Sequence, residues 1–528
     1  MAKITASQII FDSEDFLAGF AKSAAIKAVF NKSNQLVSNL DPFRDYGILQ
    51  PGRKAVDATN NSSLGGVMVA GAVKNATLSY GVDSSGKFHE YNFATNTITT
   101  GSFPYTITGT SPVGQDVVIY KHNSSSTPVF SVFYSYYNNA NWDVGAYVNY
   151  TGTPDHDFMS TIPATPLDIT TGDGDDTTQR TLPHTMEVGA DDILYIGSGR
   201  YLHAYDGATG ANGTFSSKVL TLPQGFVIKA LQKYKDRLLI AGVYSSISGN
   251  PDITTTASGG EALVYVWDYV SLDVNEVIPL DDPIVYSIFM WRGLPHVITG
   301  GESEGFGTLN GTKVKMINGD TAVKVAELSG DVAVRGVDGS SRVLYLNANG
   351  KIYAVGDNVQ DGYQVNQLMS CAQTGVGGWL KNIITYGVIA SGSTGSTHSM
   401  SAFPTSNFAS SARFVTSYYN IPTGDRVRGK VKSVVVEYFN TVTDAKAEMT
   451  MQLVYDMNAG SPNSAVVQNL NTVAAPAQKV YYVDTSGNPL QQFSSIGIDI
   501  TWSEDSGNAN ATAPAISRVI INYEPINI

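Results

Sequence analysis

The chain has 528 residues, 51 of them glycine, with only 15% charged residues and a net charge of -13. That length holds two or three domains with a sizeable core, and the composition suits a turn-dense β protein and not a disordered or long-helical chain. The negative balance argues against nucleic acid or an anionic membrane as partners, since either needs a basic face. One cysteine, Cys371, rules out an intrachain disulfide and a cysteine-rich metal site, and reads as a small buried residue.

Residues 1–60 form an arm unlike the rest. Ala6 to Phe30 carries the only helical patterning, with Phe11, Phe16 and Phe20 at mixed three- and four-residue spacings. An extended segment follows, Asp41-Pro42-Phe43-Arg44-Asp45-Tyr46-Gly47-Ile48-Leu49-Gln50-Pro51-Gly52. An arm this short has no core of its own. Its apolar residues, with Phe11, Phe16, Phe20, Phe43, Tyr46 and Leu49 as candidates, either cover the next domain or dock on a neighbouring subunit. The opening Met1-Ala2-Lys3-Ile4-Thr5 has no signal-peptide core, and no apolar run reaches the ~18 residues of a membrane helix, so synthesis in a cytoplasm without membrane insertion is expected.

From residue 61 to 424 the chain falls into units of ~35 to 50 residues, each with several short strands and glycine turns. The clearest unit is Asp192 to Gly210. There Ile193 to Ile196 and Tyr201 to Tyr205 suit pleated strands, and Gly197 and Gly199 suit the hairpin between them. Weaker copies surround Gly86-Lys87-Phe88, Trp142-Asp143, Leu238 to Gly242, Pro295 to Gly301, Asn349-Gly350 and Trp379 to Ser391. About four strands per unit, with each sheet hidden only by its neighbours, predicts a β-propeller of about seven blades; an irregular run of sandwiches is the competing architecture. Residues 425–528 hold longer alternating strands, including Ile496-Gly497-Ile498-Asp499-Ile500-Thr501-Trp502, and predict a jelly-roll-like β-sandwich. The fold class expected is therefore all-β, with an N-terminal arm, a propeller and a C-terminal sandwich.

Tyr195-Ile196-Gly197, Ala204-Tyr205-Asp206 and Thr209-Gly210 resemble the blade repeat of quinoprotein-type and outer-membrane-assembly propellers, which supports the fold and says almost nothing about a cofactor. Trp267-Asp268 and Trp142-Asp143 look like the dipeptide of WD-repeat blades, but no Gly-His pair precedes them. Gly300-Gly301 is similar to the double glycine of kelch blades and occurs once. Asp83-Ser84-Ser85-Gly86 and Asp484-Thr485-Ser486-Gly487 are fragments of the sialidase turn and read as plain Asp/Ser/Gly turns.

No catalytic pattern emerges. No carboxylate pair can be nominated from spacing, and no nucleophile elbow, phosphate loop or Cys-His dyad appears. The acidic run Asp173-Gly174-Asp175-Asp176 lacks calcium-loop spacing, and the seven histidines never pair at metal-ligand spacing. No enzyme activity, cofactor or metal is expected. The crowded Tyr134, Tyr136, Tyr137, Tyr147 and Tyr150 suit either strand faces or a contact surface for partners and sugars, with strand faces favoured.

The arm, the propeller and the final strand Ile516-Ser517-Arg518-Val519-Ile520-Ile521-Asn522-Tyr523 together resemble tailed-bacteriophage virion proteins. The resemblance implies a structural adaptor in the tail or its attachment region. It also implies other virion proteins as partners, several copies or a homo-oligomeric ring, and a place in the virion after synthesis in the host cytoplasm. The competing reading is a module that binds a host receptor or glycan.

Overall fold

The computed structural model describes residues 7–11, 36–38, 40, 48–100, 103–107, 113–137, 142–161, 184–244, 261–300, 302–304, 308–328, 334–358, 362–404, 411–416, 419–420, 427–439, 447–455, 463–469, 478–483, 489–490, 492–504 and 515–527. The regular structure of the described residues is almost entirely antiparallel strand. It divides into two compact units that do not follow the linear order: Val56–Lys351 with Cys371–Ala402, and Met1–Ala55 with Ile352–Ser370 and Phe403–Ile528.

The first unit is a β-propeller. Its first strands, Met68–Val73, Val113–Ser124, Thr185–Val188, Phe226–Tyr234, Ile284–Trp291, Val334–Gly339 and Val376–Ile383, each touch the next, and the last touches the first. Each begins a meander, as in Thr185–Val188, Leu194–Ser198, Tyr201–Asp206 and Thr214–Thr221. The predicted hairpin is present, with Tyr195 opposite Ala204 and Ile196 opposite His203.

Side-chain alternation explains the ring. Within Leu194–Ser198 every residue is buried, because both faces of the sheet are covered. Leu194 and Ile196 pack with Phe133 and Ala146 of the preceding sheet, whereas Tyr195 packs with Ile228, Ile240 and Trp267 of the following one. The pattern repeats one sheet on: Leu238 and Ile240 face backward, while Leu239 and Ala241 join Val285, Ile288 and Val297. A sheet with two apolar faces needs a neighbour on each side, and only a closed ring gives one to all of them.

The chain closes the ring with its own early residues. Val56–Asp57 pairs with Thr397–Phe403, setting Val56 opposite Ala402 and Asp57 opposite Ser401. Ala58 N–H donates to the Met400 carbonyl at 2.8 Å, and Asn61 Oδ1 accepts the Met400 N–H at 3.0 Å. Val56 and Asp57, assigned above to the arm, thus belong to the propeller.

The second unit is a β-sandwich. One sheet runs Ser7–Phe11, Ile516–Asn527, Val427–Tyr438, Gln478–Tyr481; the other includes Leu36–Ser38, Ser411–Val415, Ser495–Glu504, Ala447–Tyr455 and Asn463–Asn469. One core joins them: Ile9, Val434 and Ile521 from the first sheet, and Phe414, Leu453, Ile498 and Trp502 from the second.

Two expectations change here. The helical reading of Ala6 to Phe30 fails over Ser7–Phe11, which is a strand paired with Ile516–Asn527, Ile9 opposite Ile521 and Phe11 opposite Val519. Ile9 and Phe11 are buried while Gln8 and Ile10 face outward, a two-residue period that the mixed spacings downstream had masked. Ser411–Val415 and Tyr419–Asn420, inside the stretch assigned above to the propeller, pair with Ser495–Glu504 in the sandwich.

Candidate functional site

The propeller ring surrounds a half-open cavity of about 680 Å³. Its lining comes from the first strands, and five of these share one defect. The ladder skips Val69 between Met68 and Ala70, Gln115 between Gly114 and Asp116, and Lys229 between Ile228 and Ala230. It likewise skips Tyr286 between Val285 and Ser287, and Arg335 between Val334 and Gly336. Every skipped residue lines the cavity. A bulge places two residues against one on the partner strand and re-aims a side chain that strict alternation would send elsewhere. In Val376–Ile383 the slip falls between Gly377 and Leu380, and Trp379 reaches the same cavity, where its indole lies against Gly71.

Two carboxylates face this lining. Asp116 accepts N–H bonds from Met186 and Val117, both at 2.8 Å, and the Thr185 hydroxyl at 3.3 Å. Burial pushes its carboxyl up to about 6 against the pull of those donors. Glu187 accepts the Lys233 N–H at 3.2 Å; burial first, then the Asp116 charge, raises it to about 7. Lys229, Tyr286 and Arg335 each take part in interactions within the protein, so the lining is held in place before any ligand arrives.

A second feature lies on the surface. The loop Asp268 to Asn275 presents Val270, 84% exposed, and Leu272, 95% exposed. It is nonetheless tightly braced. The Asp268 carboxylate accepts the N–H groups of Val270 and Ser271, the Ser271 hydroxyl and the Asn275 side-chain amide at 2.8–3.1 Å. These bonds hold that carboxyl far below the usual carboxylate range. Trp267 Nε1 donates to the Ser271 carbonyl at 2.7 Å, and the Tyr269 hydroxyl bridges Ala190 N–H and the Arg237 carbonyl.

Of the six proposed docking residues, Phe11 and Leu49 are buried at 3% and 1% exposure in the sandwich core, so the chain itself covers them and they offer no surface to a partner. Phe16, Phe20, Phe43 and Tyr46 lie outside the described residues, as does the acidic run Asp173 to Asp176. Tyr134, Tyr136 and Tyr147 are buried, and Tyr80, Phe88, Phe103 and Tyr134 stack around one another between the first two sheets. Cys371 is buried, and desolvation pushes its thiol up to about 12. His122, His184 and His203 are buried and lowered by desolvation, to about 4, 3 and 4. Among the described residues no group of three or more His, Cys, Asp or Glu is placed to hold a metal, and no helix is long and apolar enough to cross a membrane.

The bulged residues were not singled out in the sequence. A signal exists: Ile228-Lys229-Ala230-Leu231, Val285-Tyr286-Ser287-Ile288 and Val334-Arg335-Gly336-Val337 share an apolar, variable, small, apolar order.

No protein-family model matches this chain, and no curated protein matches it. Among solved structures it is similar to the computationally designed protein Ika8, at 13% identity and a TM-score of 0.39, over 66% of this chain and 99% of that one.

Proposed function

We propose that this chain is a structural component of a tailed-bacteriophage virion, a tail or tail-attachment protein that joins other virion subunits and is present in several copies. In this reading it is a seven-bladed propeller with a jelly-roll-like sandwich. It is made in the host cytoplasm, carries no catalytic activity and resides in the assembled particle.

The observation that supports docking is the Asp268 to Asn275 loop. Loops at a surface normally show water polar side chains, yet this one is folded around one carboxylate by four bonds, two of them from backbone N–H groups, and shows water Val270 and Leu272. Burying each against a partner contributes roughly 1.5–3 kcal/mol, and the bracing has already removed the ordering cost.

The test is incorporation. A Val270→Ser/Leu272→Asp chain should fold with an unchanged unfolding midpoint and fail to enter assembled particles. Incorporation at the wild-type copy number would overturn docking through this loop.

A further inference from the structure

We infer that the central cavity of the propeller is a binding site for a small neutral saccharide. The inference stands apart from the docking role, because it rests on the cavity lining and not on the outer loop.

The first argument is size. At about 680 Å³ the cavity lies within the ~300–1,000 Å³ range of small-molecule sites. The second is construction. Five strands that could have run as regular ladders each carry a bulge at the level of the cavity, and each bulge delivers its extra residue to the lining. Bulges disrupt ladder pairing locally; they concentrate at sheet edges, which all five of these strands are, and next to active sites, where they re-aim a side chain.

Charge then selects the ligand. Asp116 and Glu187 oppose Lys229 and Arg335 around the same space. A phosphate or carboxylate ligand meets two acids, and a metal ion or amine meets two cations. Neither finds a lining of one opposite sign. A polyhydroxyl ligand suits all four, since every hydroxyl both donates and accepts: the two cations only donate, and the two carboxyls accept when ionised and can also donate when protonated. Gln115 adds an amide that does both, and Tyr286 adds an aromatic face with a polar tip. Planar bidentate groups beside an aromatic ring match the vicinal hydroxyls and the apolar C–H face of a pyranose.

The experiment is calorimetric titration of the full chain with glucose, galactose, N-acetylglucosamine and their β-linked disaccharides, with inorganic phosphate and lysine as charged comparators. At least one neutral sugar should saturate a single site in the micromolar to millimolar range. Gln115→Ala and Tyr286→Phe should each weaken it by about tenfold without moving the unfolding midpoint. If Tyr286→Phe proves unstable, Gln232→Ala on the same lining takes its place. The proposal is overturned if no sugar saturates, if phosphate or lysine binds in preference, or if sugar binding survives the substitutions.

Discussion

The Asp83 carboxylate and the His89 Nε2 lie 2.9 Å apart with no exposed side-chain surface on either residue. Asp83 also accepts the N–H groups of Gly65, Ser85 and Lys87 at 2.9 Å and the Ser85 hydroxyl at 2.8 Å. One side chain therefore ties the first propeller hairpin to the segment that enters it. Asp83→Ala strands these donors in a buried place and should cost about 3–5 kcal/mol, read from a urea midpoint.

The same carboxylate sets an acid limit. Burial pushes Asp83 up, but the His89 bond and charge and the Lys87 and Ser85 donors pull it below its ordinary value. A lowered folded value means that its stabilisation is present above the ordinary carboxylate range and is lost as pH falls through the folded value. Asp83→Asn should flatten the acid limb of the stability profile, and a limb unchanged in that variant would remove Asp83 as its source.

The cavity carboxylates act in the opposite sense. Asp116 at about 6 and Glu187 at about 7 are raised in the folded chain, so their stabilisation is present below about pH 4 and lost as pH rises through 6 to 7. Wild-type stability should fall by on the order of 4 kcal/mol between pH 5 and 8 from this source. Glu187→Gln keeps an acceptor for the Lys233 N–H and should recover roughly two-thirds of that loss, as urea midpoints at the two pH values will show.

Ile9 and Phe11 put a prediction on the other unit. Both are buried among Val519 and Ile521 in the sandwich core. Ile9→Ala or Phe11→Ala should each lower the stability of that unit by about 3 kcal/mol through the cavity left behind. Deleting residues 1–55 should leave Val56–Asp57 to close the propeller while removing Ile9, Phe11, Leu40 and Leu49 from the sandwich core. Two-step thermal unfolding, with only one step shifted, is the expected reading.

Much of the propeller was legible because each sheet is buried on both faces and so writes continuous apolar runs such as Leu194 to Ile196 and Leu238 to Ala241. The hairpin at Gly199 was legible because its positive φ of 57° suits glycine. The arm was not, since pairing between Ser7–Phe11 and Ile516–Asn527 joins residues about as far apart as the chain allows, and no local pattern encodes that partner. The cavity lining was missed for a different reason. A bulge adds one residue to a strand without changing its composition, so Lys229, Tyr286 and Arg335 looked like ordinary outward polar positions. The braced loop is not legible because Trp267-Asp268 has the form of a strand-ending dipeptide, whereas the Asp268 carboxylate folds the loop that follows as far as Asn275.

The docking role is tested most directly by a side-chain-resolution density map of assembled particles containing this chain. Val270 and Leu272 should lie buried beneath an adjoining subunit in every copy, with the Asp268 bonds unchanged. A chain missing from the particle, or a loop facing solvent in all copies, would contradict it.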